Sequence, residues 1–134
     1  MTNFKQPRRP HGFSLVEISL VIAMMLGLAT VVGLNVTMLR DWQEGKNAGL
    51  SLQAVFAAQR AYMADHPTAN IATVTSAQLQ AYLPQGWPTM PAFTGLDNEA
   101  LVLDHTVMPP RLLLNNAVYD PSGKSSDGIW DADQ

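Results

Sequence analysis

Hydrophobic and polar positions change rhythm twice along this chain. Between Glu17 and Arg40 lie 22 consecutive uncharged residues, from Ile18 to Leu39. At 1.5 Å per residue such a helix is about 33 Å long, enough to cross a hydrocarbon layer of about 30 Å. Beyond Arg40 charges return. Leu52, Val55, Phe56, Gln59, Tyr62 and Met63 recur at spacings of three and four, with Lys46 and Arg60 elsewhere, the pattern of an amphipathic helix. Asp65-His66-Pro67 ends it, because proline disfavours helical geometry in the residue before it. The pattern predicts one helix over residues 13–65: the first part crosses a membrane, and the rest is the spine of a soluble domain. Gly45 and Gly49 read as bends in it.

The remaining chain reads as short elements. Residues 75–83 predict a helix, with Thr75 and Gln78 spaced for a capping box, Leu79, Tyr82 and Leu83 as an apolar stripe, and Pro84 as the stop. A proline- and glycine-rich loop follows to Gly95, its Trp87 and Phe93 expected to pin it to the core. Two strands are predicted. Residues 100–107 place Leu101, Leu103, His105 and Val107 on one face, and residues 111–119 begin apolar and turn mixed. Met108-Pro109-Pro110 joins them in an antiparallel connection too stiff for a two-residue turn. The expected fold class is α+β, a small antiparallel sheet laid on the helical spine.

Composition sharpens this organisation. In 134 residues there is room for one small soluble domain after the apolar segment. No cysteine is present, which removes disulfides and thiol chemistry. The net charge of −3 conceals a split: Lys5, Arg8 and Arg9 precede Gly12, and without them five basic residues face eleven acidic ones, a net of −6. A chain with that balance is not expected to bind nucleic acid through its general field.

Glu17 is the anomaly, a carboxylate at the start of an apolar run. A secretory signal would be shorter and would end in a small-residue cleavage site. A plain anchor, oriented basic side inward, leaves Glu17 and Gly12 unexplained except as a water boundary or a helix-dipole partner. The stretch PHGFSLVEISLVIAMMLGLA resembles the class III signal of the type IV pilin and pseudopilin family: a basic leader, a glycine, then Phe-[Ser/Thr]-Leu-x-Glu opening a long apolar helix. The resemblance implies a leader over residues 1–12, a transmembrane and filament-core helix over 13–39, and a pilin-like domain over 40–134. It implies cleavage after Gly12 by a prepilin peptidase, Phe13 as the new and usually N-methylated N-terminus, and Glu17 as the glutamate that meets the amine of a neighbouring subunit. Its partners would be other pilin or pseudopilin subunits and an inner-membrane assembly platform. The N-terminus would be cytoplasmic and the domain periplasmic, on a single pass through the bacterial inner membrane. The chain departs from many pilins in having no proline between Pro10 and Pro67. Gly27, Thr30 and Gly33 form a small-residue stripe that lets helices approach.

The last fifteen residues hold Asp120, Asp127, Asp131 and Asp133, with Gly123 and Gly128 permitting turns. Clustered carboxylates suit Ca²⁺, which takes six to eight oxygens, although the spacing is not that of an EF-hand. The region resembles, in degenerate form, the acidic calcium loop of major type II secretion pseudopilins. It also resembles a pilin-like ending of the form Tyr-Asp-Pro-Ser/Thr through Ile-Trp/Tyr, which needs no metal and would leave a solvated acidic tail pinned by Ile129 and Trp130. Structural Ca²⁺ on those four aspartates and the metal-free tail are the two expectations, and no other cofactor is expected. Gly123-Lys124-Ser125 lacks the first glycine of a phosphate loop. His11, His66 and His105 form no catalytic pattern, and an enzyme is not expected. The functional expectation is a subunit of a type II secretion pseudopilus. The alternatives are a pilin or minor pilin for adhesion, motility or DNA uptake, or an anchored binding domain that never assembles.

Overall fold

The computed structural model describes residues 12–132, apart from the side chains of residues 34 and 35, and divides into two units between Thr37 and Met38. Residues 1–11, which hold most of the leader expected over 1–12, and Asp133 lie outside the described residues.

Helix α1 is Leu15–Asp65, 51 residues without a break. It starts two residues later than expected because Ser14 takes the capping position: its Oγ accepts the Glu17 N–H at 3.2 Å, and its carbonyl accepts from Ile18 at 3.1 Å. In the first unit every described side chain of this helix is exposed. Its hydroxyls are satisfied within the helix. Ser19 donates to the Val16 carbonyl at 2.9 Å, and Thr30 donates to those of Leu26 and Gly27 at 2.8 and 2.9 Å. A hydroxyl bonded to its own helix can enter an apolar medium without an orphaned donor. This is one helix long and apolar enough to span a membrane, near the N-terminus.

The second unit is built on the other half of α1. Ala48, Leu52, Val55, Ala58, Gln59 and Tyr62 are buried along it, at the spacings the sequence predicts. Helix α2, Ser76–Gln80, follows a single 3-10 turn at Ile71–Thr73. Gln78 Oε1 accepts from both the Thr75 N–H and its hydroxyl, at 2.9 and 3.0 Å, which fixes the start of α2. The helix expected to reach residue 83 stops at Gln80. Tyr82 and Leu83 bond three residues back rather than four, the tightening expected ahead of Pro84. Leu79 is fully buried and meets Tyr62 and Val74 in a small apolar cluster.

Four strands form an antiparallel meander in the order β1-β2-β3-β4: Phe93–Thr94, Ala100–Asp104, Arg111–Leu114 and Ala117–Val118. Leu103 pairs with Leu112, and Phe93 with Leu101. These inward residues meet Leu52, Ala48, Trp130 and Ala132 in the main core. Two strand expectations need correction. The first strand ends at Asp104 rather than residue 107, because Asp104 Oδ1 turns back to accept the Thr106 N–H and hydroxyl at 3.2 and 2.6 Å. Beyond it the chain is held by Gln59, whose Nε2 donates to the His105 and Val107 carbonyls at 2.8 and 2.9 Å. The second expected strand is a hairpin. Asn115 and Asn116, at φ 51° and 65°, make a two-residue turn between β3 and β4, a conformation asparagine tolerates better than most residues.

Gly45 and Gly49 serve another purpose than the bends expected of them. The helix continues through both, and the C-terminal segment lies against them. The Trp130 N–H donates to the Gly45 carbonyl at 3.0 Å. A Cβ on Gly45 would stand 2.5 Å from Ile129 Cγ2 and from the Trp130 indole nitrogen. Glycine one turn apart thus opens a groove in the spine deep enough for another backbone. Trp130, only 3 % exposed, closes the groove and meets Tyr119 edge-on at 5.2 Å. The Tyr119 hydroxyl in turn accepts the Leu96 N–H at 2.9 Å. Burial, together with the neighbouring Glu99, holds that phenol above its ordinary pKa.

Candidate processing and assembly segment

Gly12, Phe13 and Ser14 precede the helix, and Gly12 is exposed with open space around it. A peptidase cutting after Gly12 needs an accessible, non-helical backbone, and this segment offers one. Phe13 is 80 % exposed. Together with Glu17, four residues later, it lines a shallow apolar hollow of about 300 Å³ with Ile18, Val21 and Ile22. Phe13 and Glu17 are therefore brought together.

Ser14 is the residue that sequence reasoning passed over. Ser-Leu-Val-Glu has the Ser/Thr-x-x-Glu spacing of a capping box, and the serine half of that box is formed. Glu17 consequently lies in the first turn, where the helix dipole favours negative charge by about 0.3–1 kcal/mol at an exposed site. That effect accounts for a carboxylate at this end of the helix. It does not account for the exposed phenylalanine beside it.

The C-terminal acidic residues are arranged as backbone acceptors. Asp120 Oδ1 accepts from the Ser122 N–H and hydroxyl at 3.1 and 2.7 Å, and Asp127 Oδ1 accepts from Ile129 N–H at 3.0 Å. Asp131 accepts from Gly128 N–H at 3.0 Å and from Asp127 N–H at 3.3 Å. The segment that carries Ile129 and Trp130 into the glycine groove is folded by these bonds. Among the described residues no group of three or more His, Asp or Glu side chains is close enough to hold a metal ion. Asp120, Asp127 and Asp131 do not converge as a calcium cage would require, and Asp133 lies outside the described residues.

Asp104 is engaged differently. It faces Arg111 across β2 and β3, with Nε donating to Oδ2 at 3.0 Å. The Thr106 hydroxyl and then Arg111 hold its carboxyl below the ordinary carboxylate range against an opposing effect of burial. The neighbouring His105 contributes its backbone carbonyl to Gln59, so Asp104 and His105 serve the connection between strands. His66 stacks on Tyr62 at 4.4 Å.

No protein-family model, curated protein or solved structure matches this chain.

Proposed function

We propose that this protein is a pilin-like subunit of a type II secretion pseudopilus or a related type IV filament, processed after Gly12 and assembled through its N-terminal helix. The observation that carries the reading is an apolar helix whose described side chains from Leu15 to Leu39 are all exposed. Its one carboxylate, Glu17, stands beside Phe13 next to an accessible glycine. A bilayer satisfies such a surface first, and the helices of other subunits can satisfy it later.

Cleavage gives the carboxylate its purpose. Cutting the Gly12–Phe13 amide with water leaves a carboxylate on Gly12 and an α-ammonium on Phe13. A charge taken into an apolar medium is costly unless paired, so the glutamate of one subunit and the new amine of the next neutralise each other as the helices pack. The basic leader keeps the N-terminus cytoplasmic, and its removal leaves the acidic chain to be drawn into the filament on the periplasmic side of the inner membrane. The prepilin peptidase and the assembly platform are the partners this mechanism needs.

A membrane-anchored domain that never assembles is the second reading. The position of Glu17 in the first turn favours it, because the helix dipole gives the carboxylate a local role. Mass spectrometry of the membrane-extracted protein separates the two. In cells with an active prepilin peptidase the mature chain should begin at Phe13, and retention of residues 1–12 would refute the pilin-like reading. Glu17→Ala should leave insertion and cleavage intact while lowering incorporation into filaments; unchanged incorporation would leave the glutamate with its helix-dipole role alone.

A further inference from the structure

Between the bond cut in the proposed processing step and the first residue of α1 lie only Phe13 and Ser14. The serine sets that spacing. Its Oγ accepts the Glu17 N–H at 3.2 Å, and its carbonyl accepts from Ile18 at 3.1 Å, the two bonds of an N-cap. Helical bonding thus begins at the Ser14 carbonyl, and Gly12 and Phe13 stay outside it.

Little else in the sequence holds that boundary. Phe13 is compatible with a helix, and the proline before α1 is Pro10, on the far side of Gly12. Gly12 resists being taken into a helix interior, where glycine is disfavoured about fivefold against alanine. Glycine is nevertheless an acceptable cap. Without the serine oxygen, the next register open to the chain starts at Phe13 with Gly12 as its cap, and the Gly12 carbonyl would then accept from the Val16 N–H. That carbonyl belongs to the bond a prepilin peptidase must cut. Proteins that bind a peptide through its backbone take it extended, with N–H and C=O free to pair. A carbonyl committed to the helix is withheld from them.

We propose that Ser14 is a positioning residue for processing: by capping α1 where it does, it keeps the Gly12–Phe13 amide extended and open to the peptidase. The proposal deepens the pilin-like reading and rests on it. What the peptidase requires of Ser14 is a cap, not a hydroxyl. Ser14→Ala removes the cap, worth about fivefold, and improves helix propensity at this position by about twofold, together about tenfold toward the shifted helix. Only the extended fraction is competent to bind, so the loss falls on KM and leaves kcat unchanged.

The test is cleavage of the full-length chain in detergent micelles by a purified prepilin peptidase. Ser14→Ala should raise KM about threefold to tenfold at constant kcat. Ser14→Asn, which caps as well as serine and carries no hydroxyl, should restore the parent value. In the same micelles the Cα chemical shift of Phe13 should move toward the helical range in Ser14→Ala and stay at the parent position in Ser14→Asn. An unaltered KM in Ser14→Ala would overturn the assignment. So would a Ser14→Asn chain cut as poorly as Ser14→Ala, which would mean that the peptidase reads the hydroxyl itself. A parent chain left uncut between Gly12 and Phe13 would overturn the pilin-like reading and this assignment with it, whereas the other two results arise only with a parent that is cut, so the two failures are distinguishable.

Discussion

Gly49→Ala tests whether the C-terminal segment is seated in the spine. In an unpacked helix interior this change is favourable by about 1 kcal/mol, because alanine is the better helix former. Here the added Cβ would overlap the Gly128 carbonyl oxygen and stand 2.8 Å from its carbon and 3.1 Å from the Asp131 carbonyl. Those are backbone atoms, which cannot swing aside as the tip of a side chain can. Overpacking of this kind costs about 1–3 kcal/mol. If the segment lifts, the Trp130 to Gly45 hydrogen bond adds about 1 kcal/mol. Partial exposure of the Trp130 ring adds about 1–2 kcal/mol more. Against the propensity gain, a net loss of about 2–5 kcal/mol is expected.

For a domain of this size each kcal/mol moves the melting temperature by about 4–8 °C, so Gly49→Ala should lower it by about 8 °C or more. The fragment 38–134 is the right material, since every buried core residue lies within it. Circular dichroism melting would give the shift, with Asn47→Ala, on an exposed position of the same helix, as the control for propensity. Near-ultraviolet signal from Trp130 should weaken in the glycine variant. An unchanged or raised melting temperature for Gly49→Ala would show that no backbone lies in the groove, and the packing described for Gly128 to Trp130 would fall with it.

Gln59→Leu should cost about 2 kcal/mol in denaturant unfolding, because the half-buried His105 and Val107 carbonyls lose their donor; a cost under about 0.5 kcal/mol would mean that water replaces it. Asn116→Gly should raise stability by about 0.5 kcal/mol, since glycine relieves the φ of 65° in the β3–β4 turn, and a loss of stability would refute the turn assignment. Asp104 has a lowered pKa in the folded state, so its contribution is present above the unfolded value near 3.8 and is lost as pH falls through the folded value. Melting between pH 5 and 2 should therefore fall less steeply in Asp104→Asn than in the parent chain; parallel profiles would remove the Arg111 and Thr106 interactions from the stability of the strand connection.

Much of the fold was legible because it rests on periodicity. Twenty-two uncharged residues and a three-and-four spacing around Leu52, Val55 and Tyr62 predict a long helix with an exposed apolar half and a buried face, and both are present. The misses share a cause, that a local pattern cannot report what comes to meet it from far along the chain. Gly45 and Gly49 look like weak points when only the helix is considered, and become a groove only when Gly128 and Trp130 arrive some 80 residues later. The hairpin was hidden differently. Asn115-Asn116 lacks the glycine that usually marks such a turn, so an uninterrupted strand fitted the apolar residues around it. For Asp127 and Asp131 both a cation site and a metal-free tail stayed open, because side-chain type is visible in a sequence whereas the backbone N–H groups that engage them are not.

At the N-terminus the same limit bears on function. Ser14 caps the helix through the Glu17 N–H, and the helix dipole alone would favour a carboxylate in that first turn. The dipole role and the pairing role do not compete, because they apply to different states of the chain. While the leader is attached, Phe13 contributes an amide, and a carboxylate in the first turn is stabilised by the helix dipole and by water at the bilayer edge. Once the leader is cut, the proposed chemistry places an ammonium four residues away, on a subunit whose helix must leave the membrane. A carboxylate that only served the helix dipole could be replaced by a neutral residue at a cost of about 0.3–1 kcal/mol, with no requirement for Phe13 or Gly12. Glycine, phenylalanine and glutamate occurring together, at the accessible end of an exposed apolar surface, are what the proposed cleavage and assembly would jointly account for.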